Sequence, residues 1–265
     1  MSAFIEYFAK LAPEKSVSWI NESLKTFEIS ELKVLFVMAH RFIPKQEIEM
    51  NQGNEPMDLL ILGRIILLKR IEELSLRENF NKTVDFLFDQ AEIQEAKAIL
   101  KGLVEFNYPE DLVEIGRKAV RSNTGDIFDA FAFGNSYAKI YFDENSWNQL
   151  VLKCIFNLKP IHQIRGLRER SNQILANTLS DFAHERWAAG RGVPPYVWCL
   201  MIGFINDHLL KDIYHLITEG NREDKMAGYL VLREERFLPA QKLFTDFDFP
   251  DERSEWNWKI LENYV

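Results

Sequence analysis

The chain has 265 residues, of which 47% are hydrophobic and 13% aromatic, so it can bury a large core and most of it is not disordered. Its formal net charge of −8 creates a repulsive field toward phosphate backbones, which disfavours generic nucleic-acid binding. The two cysteines, Cys154 and Cys199, are too few for a disulfide framework and lack metal-ligand spacing, so we expect both to be reduced residues of the core.

The first predicted helices are marked by apolar residues three and four positions apart. Phe4, Ile5 and Phe8 begin one such stripe, which ends at Pro13, and a second helix follows directly. The first segment also contains Glu6 and lacks a basic leader, so it does not resemble a signal peptide.

The next predicted helix begins at Ser30, placed as its N-cap, and closes at Pro44. The segment from Lys45 to Pro56 is rich in charged and polar residues and is expected to be an exposed connection. The most apolar window of the chain, Leu59 to Leu68, is interrupted by Arg64 and is far shorter than the roughly 20 apolar residues that span a bilayer. It therefore predicts a buried helix and no membrane insertion, and we expect a soluble, cytoplasmic protein.

Helical spacing continues to the end of the chain without a run that alternates with period two, so no sheet is expected. Thr124 is predicted to cap a helix that stops at Gly134 and Asn135. Short helices joined by short turns predict an all-α fold: an irregular stack of antiparallel helix pairs, a HEAT-like α-α superhelix, with a compact bundle as the alternative. We expect one domain over residues 1–265, in which residues 245–265 form an acidic and aromatic C-terminal tail packed on the last helices.

Candidate functional residues concentrate between Trp147 and Arg191, on two predicted helices joined by a basic connection. The first of these helices is predicted to bury the stripe Trp147, Leu150, Val151, Cys154 and Leu158, and we expect Trp187 to be a core residue as Trp147 is. The second helix places its apolar residues on one side. At about 100° per residue, Asn177, Asp181 and His184 fall on the opposite side, which brings a carboxylate and an imidazole one turn apart.

Three interpretations of Asp181 and His184 are open. They could bind a metal with His162 and Glu185 as further ligands, although no recognised zinc or iron spacing is present. They could act as an acid–base pair, which requires a substrate pocket. The interpretation we favour is structural: both side chains form hydrogen bonds to neighbouring helix ends and orient the helices, so that no catalytic residue and no metal site are assigned.

Arginines bracket this helix pair and could hold a phosphate or carboxylate through their planar donors. Arginines at helix ends also pair commonly with carboxylates or free carbonyls, so a structural role explains them equally well. The candidates for anion binding are Arg165, Arg168 and Arg170, and those for a functional or structural polar surface include Arg186 and Arg191.

The stretch Asp181 to Arg191, DFAHERWAAGR, resembles the signature of the EboA family, as does the preceding Trp147 to Lys153, WNQLVLK. Sequence similarity to the family covers about Asn107 to Phe204, and the segment from Ala39 to Lys45 resembles the family more loosely. The family pattern has an acidic residue after Gly-Leu, and this chain has Arg168 at that position. A metal-binding or helix-capping role of the acidic residue therefore does not carry over to this chain.

The resemblance implies a helical, HEAT-like fold without an established reaction, a cofactor or a catalytic residue that could be carried over. Members are encoded beside a prenyltransferase and several hydrolase-like or sugar-phosphate-enzyme-like proteins, in clusters associated with moving precursors of specialised metabolites out of the cytoplasm. It therefore implies a non-catalytic accessory or scaffold protein that binds proteins of the same gene cluster, with a metabolite as a further candidate ligand. The rival expectation is a small enzyme that acts on an anionic small molecule, with Asp181 and His184 as its acid–base pair.

Overall fold

The computed structural model describes residues 1–48, 57–133 and 136–264, which group into two compact units, Met1–Ser146 and Trp147–Val265. Helices dominate both units, which confirms the predicted all-α class. The HEAT-like stacking and the single domain over residues 1–265 stay predictions. Within the described ranges, no helix combines the length and the apolar composition that crossing a bilayer requires.

In the described residues, the first unit is built from short helices and 3-10 turns. Its α-helices are α1 (Ser2–Leu11), α2 (Glu14–Ser23), α3 (Ile29–Met38), α4 (Leu59–Leu74), α5 (Arg77–Gln90), α6 (Ile93–Gly102), α7 (Val113–Arg121), α8 (Gly125–Ala132) and α9 (Tyr137–Tyr141). The 3-10 turns span Ala39–Arg41, Leu103–Glu105 and Pro109–Leu112.

Helix α4 forms the centre of the first unit. Every residue from Leu59 to Lys69 is buried, because the helix packs against α1, α2, α3, α5 and α6. Asp58 caps its N-terminus by accepting a hydrogen bond from the backbone N–H of Ile61 at 2.7 Å. Arg64 is only 2% exposed, and it donates hydrogen bonds to the Phe36 carbonyl and to the Glu95 carboxylate. The charge that interrupts the apolar window is therefore neutralised inside the core.

Some helix boundaries differ from the prediction because capping depends on local backbone geometry. Helix α3 begins at Ile29 with Glu28 at its N-cap, so the prediction of Ser30 as the cap was wrong. Thr124 does occupy the N-cap position of α8. The predicted stop at residues 134–135 lies outside the described residues.

A short antiparallel ladder departs from the expectation of no sheet. Strand β1 (Glu47–Ile48) pairs with β2 (Met57–Asp58), with Ile48 opposite Met57. The strands lie at either end of the connection that we expected to be exposed, and residues 49–56 between them lie outside the described part. Four residues give no periodicity, so the pattern could not reveal this ladder.

The second unit continues with helices and 3-10 turns. Its α-helices are α10 (Glu144–Phe156, from Trp147 onward), α11 (Gln173–Ala188), α12 (Leu209–Glu219), α13 (Arg222–Glu234), α14 (Leu238–Asp246) and α15 (Trp258–Leu261). The 3-10 turns span Ile161–Gln163, Pro195–Met201 and Asp251–Glu255.

Helix α13 occupies the core of the second unit, where it packs against α12, α14, α15 and the 3-10 turn Pro195–Met201. Its residues from Met226 to Leu232 are all buried. Gly228 permits the close approach of α12, because an added Cβ there would lie 2.5 Å from Cγ2 of Ile217. In the tail, Phe249 and Trp256 are buried, in line with the expectation that the C-terminal segment packs on the last helices.

The buried stripe predicted for α10 is observed in part. Trp147 and Cys154 are fully buried, and Cys199 is buried as well. Leu158 was predicted to be buried but is 48% exposed, because α10 ends at Phe156 and Leu158 adopts a positive φ of 52°.

Candidate functional site

Helix α11 carries most of the candidate residues, and local signals fix both of its ends. Asn172 caps the N-terminus by accepting from the backbone N–H of Leu175 at 2.9 Å, and its side-chain amide exchanges hydrogen bonds with that of Asn148. The C-terminus is followed by Gly190 in the left-handed region, at φ 67°. The predicted inward face is confirmed by the burial of Leu175, Leu179 and other small or apolar residues.

His184 projects from α11 and is anchored by a buried carboxylate of α12. Its Nε2 lies 2.7 Å from Oδ1 of Asp212, and the side chain of His184 is 49% exposed while that of Asp212 is 4% exposed. The second oxygen of Asp212 accepts a hydrogen bond from the fully buried hydroxyl of Ser180 at 2.6 Å. Asp212 therefore links two positions of α11 to α12 and fixes the orientation of the His184 ring.

Aromatic and imidazole rings surround this pair, in a group that we call the His–Trp cluster: His184, Trp187, Trp198, His208 and His215. Trp187 stacks on the buried Trp198 with ring centroids 5.7 Å apart and contacts His215 at 4.4 Å. His208 meets the ring of His184 edge-on at 6.2 Å. Trp187 was predicted to be a core residue, but the structure leaves it partly exposed beside Trp198 and His215.

The hydrogen-bond pattern decides which chemistry the cluster favours. Ser180 is fully buried and donates to Asp212 and not to His184, so the structure does not form an accessible serine–histidine pair of the kind that activates a nucleophile. His184 is oriented by a carboxylate and reaches solvent, an arrangement compatible with proton transfer. In the described residues, no group of three or more histidine, cysteine or acidic side chains has the geometry of a metal site.

The other residues predicted on this face lie apart from the Asp212 pair. Asp181 and Glu185 are exposed, and the carboxylate that contacts His184 is Asp212. Asn177 is exposed and accepts a hydrogen bond from Gln173 at 3.0 Å. The one-turn spacing therefore placed the wrong carboxylate beside His184, and Asp181 lies exposed instead of in the helix-orienting role that we favoured for it.

The predicted anion-binding arginines are engaged by different neighbours. Arg168 pairs with Glu234, and the guanidinium of Arg170 lies 4.8 Å from the centre of the Trp147 ring. Arg165 is partly buried and has interactions of its own. Contacts of this kind agree with the structural explanation of these residues, and anion binding stays a prediction.

Arg186 lines a separate feature, a cavity of about 280 Å³ that we call the α11–α13 cavity. Its lining also includes the polar residues Asn221 and Asp224, at the start of α13, and the apolar residues Pro194 and Pro195. Arg191, which follows α11, is exposed.

Several residues of these sites were not identified from the sequence. Asp212 and His215 lie on α12, and His208 directly precedes this helix, so that the three follow an i, i+4, i+7 spacing, the same spacing that relates Ser180, His184 and Trp187 on α11. Matching two such faces could have suggested that α11 and α12 pair through them. No local pattern could have brought Tyr264, near the end of the chain, to the wall of the α11–α13 cavity.

The fold and these sites define an all-α protein with a ring-lined surface on one helix pair and an amphipathic cavity beside it. The sequence profile described as "Metabolite traffic protein EboA" matches residues 3–202, so the chain belongs to the EboA family. The match includes α11 with His184 and ends before α12 with Asp212. No curated protein and no solved structure matches the chain.

Proposed function

We propose that this protein is a non-catalytic accessory or scaffold protein of an Ebo-type pathway in the cytoplasm. In this role it binds proteins encoded in the same gene cluster, and a metabolite as a second ligand, during the processing or export of a specialised-metabolite precursor. The family description supports a role in metabolite trafficking.

The observation that carries the proposal is the His–Trp cluster. Trp187 and His184 are partly exposed, yet the stacking on Trp198 and the hydrogen bond to Asp212 hold them in place. Rigid, partly exposed indole and imidazole rings lose little conformational entropy on binding and are typical of residues that dominate protein interfaces. Because Ser180 is committed to Asp212, the polar groups at this surface serve to position rings.

The proposal can be tested by co-expression of the affinity-tagged chain with each protein of its gene cluster. We expect at least one of these proteins to co-purify with the wild type and to be lost, or reduced at least about ten-fold, with Trp187→Ala, as for an interface residue worth about 1.4 kcal/mol or more. Tyr214→Ala provides a matched control, because Tyr214 is a 53% exposed aromatic residue of α12 outside the cluster. Circular dichroism and thermal melting confirm that each variant is folded.

Two results would contradict the proposal. One is that no cluster protein binds the wild type, and the other is that Trp187→Ala and Tyr214→Ala retain the partner equally. The second result would place the binding surface elsewhere on the chain.

The second candidate function is a small enzyme acting on an anionic molecule. The sequence pattern suggested Asp181 and His184 as the acid–base pair of such an enzyme. The observation that favours this function is instead the contact between His184 and the buried carboxylate of Asp212. In this form His184 transfers a proton while Asp212 orients the ring. Metabolite extracts of the native cell would be incubated with wild type and His184→Gln, and a metabolite consumed only by the wild type would favour the enzyme.

A further inference from the structure

Helix α11 has an outer face that no other part of the described chain covers. Ile174 is 62% exposed on this face, and Asp181 and Glu185 are exposed two and three helical turns further along the same side. The buried residues of the helix, such as Leu175 and Leu179, lie on the opposite side. We call Ile174, Asp181 and Glu185 the α11 outer face.

Aromatic side chains lie along both edges of the α11 outer face. At the edge toward α10, the ring of Phe182 lies 5.1 Å from that of Phe156, which is 55% exposed. At the edge toward α12 lie His184 and Trp187 of the His–Trp cluster. The guanidinium of Arg186 lies 5.5 Å from the centre of the Phe182 ring, so one edge of this face holds a guanidinium against an aromatic ring.

The two carboxylates of this face have no cation of their own. Within the described ranges, neither an ion pair nor a hydrogen bond engages the side chains of Asp181 and Glu185. The basic residues next to them are committed elsewhere, because Arg186 donates to a backbone carbonyl and His184 contacts the buried Asp212. Two like charges one turn apart repel each other, so a cation from outside the chain that contacts both would be stabilised.

Arginine is the residue type that matches both the carboxylates and the rings. Its planar guanidinium can donate two hydrogen bonds to one carboxylate and can stack on an aromatic ring, whereas the lysine ammonium is a point charge. An apolar residue beside the arginines would cover Ile174, which is exposed on the same face. The net charge of −8 attracts a basic segment over a longer range.

We propose that the α11 outer face docks a basic, arginine-containing segment of a partner protein. This inference specifies the chemistry of the partner in the function proposed above and rests on that function. The arginines pair with Asp181 and Glu185, and apolar residues of the segment pack on Ile174 and on the exposed ring of Phe156.

Fluorescence anisotropy of labelled peptides titrated with the full chain tests the inference. The probe is a blocked peptide of about 12 residues that contains arginine and leucine, in roughly 0.1 M salt, where charges more than about 10 Å apart are largely screened. Two comparison peptides replace every arginine by lysine or by glutamate. A third replaces every leucine by serine, which keeps the charge and removes the apolar contacts.

A matched pair of double variants separates docking on α11 from general attraction to an acidic protein. Asp181→Asn/Glu185→Gln removes two negative charges from the α11 outer face. Asp246→Asn/Glu219→Gln removes the same number from exposed positions of α14 and α12. Circular dichroism confirms that both double variants are folded.

We expect the arginine peptide to bind with a Kd of about 100 μM or below, and the lysine and serine versions to bind about three-fold or more weakly. The glutamate version should not bind. The α11 double variant should weaken binding of the arginine peptide about ten-fold, as for two lost charge-assisted hydrogen bonds, while the control double variant should stay within about two-fold of the wild type.

The inference is overturned if the arginine peptide does not bind, if the lysine or glutamate version binds equally well, if the serine version binds equally well, or if the two double variants behave alike. Failure of the peptide while a cluster protein still co-purifies through Trp187 would refute only the basic character of the partner. Peptide binding on α11 without any co-purifying cluster protein would instead contradict the proposed function and leave the chemistry of this surface supported.

Discussion

Asp212 is the residue whose removal should reveal most about the α11–α12 contact. Asp212→Ala deletes the acceptor of two hydrogen bonds, from Ser180 at 2.6 Å and from His184 at 2.7 Å. The Ser180 hydroxyl is fully buried and would lose its acceptor, whereas His184 is half exposed and can turn to water. We therefore expect a loss of ~2–3 kcal/mol, mainly from Ser180, or a decrease in Tm of about 4–8 °C.

Thermal melting of a set of variants separates this cause from a general loss of packing. His184→Ala leaves Asp212 bonded to Ser180 and should cost ~1 kcal/mol, while the exposed Asp181→Asn should stay within ~0.5 kcal/mol of the wild type. The double variant Ser180→Ala/Asp212→Ala should be less destabilised than Asp212→Ala alone, because no buried hydroxyl is left without an acceptor. Equal melting temperatures for Asp212→Ala and Asp181→Asn would refute the reasoning, and so would strictly additive effects in the double variant.

Three further predictions follow from burial and close contact. Trp147→Ala should lower stability by ~3–5 kcal/mol in denaturant unfolding, since this ring is fully buried; an unchanged midpoint would contradict that. Gly228→Ala should cost ~1–3 kcal/mol by overpacking against Ile217, whereas Gly125→Ala, with no atom within 4 Å of the added Cβ, should be nearly neutral. Burial raises the pKa of Cys199 to about 12, so iodoacetamide at about pH 8 should label this thiol only after unfolding, as mass spectrometry of native and denatured protein would show.

The helices could be predicted because their signals are local. Pro13 ends the first apolar stripe, and α1 ends at Leu11. The stripe Leu175, Leu179 and Ala183 is buried as its spacing required. In contrast, α3 begins at Ile29 after Glu28, which caps it without a side-chain hydrogen bond, so the presence of Ser30 did not locate the start of this helix.

The site could be predicted only in part, because its central contact is remote in sequence. His184 is 28 residues from Asp212, whereas Asp181 is one helical turn away and was therefore the nearer candidate. A helix pattern fixes which side chains share a face, but the partner of a face depends on how two helices pack. The same limit applies to Arg168, whose partner Glu234 lies 66 residues further along the chain.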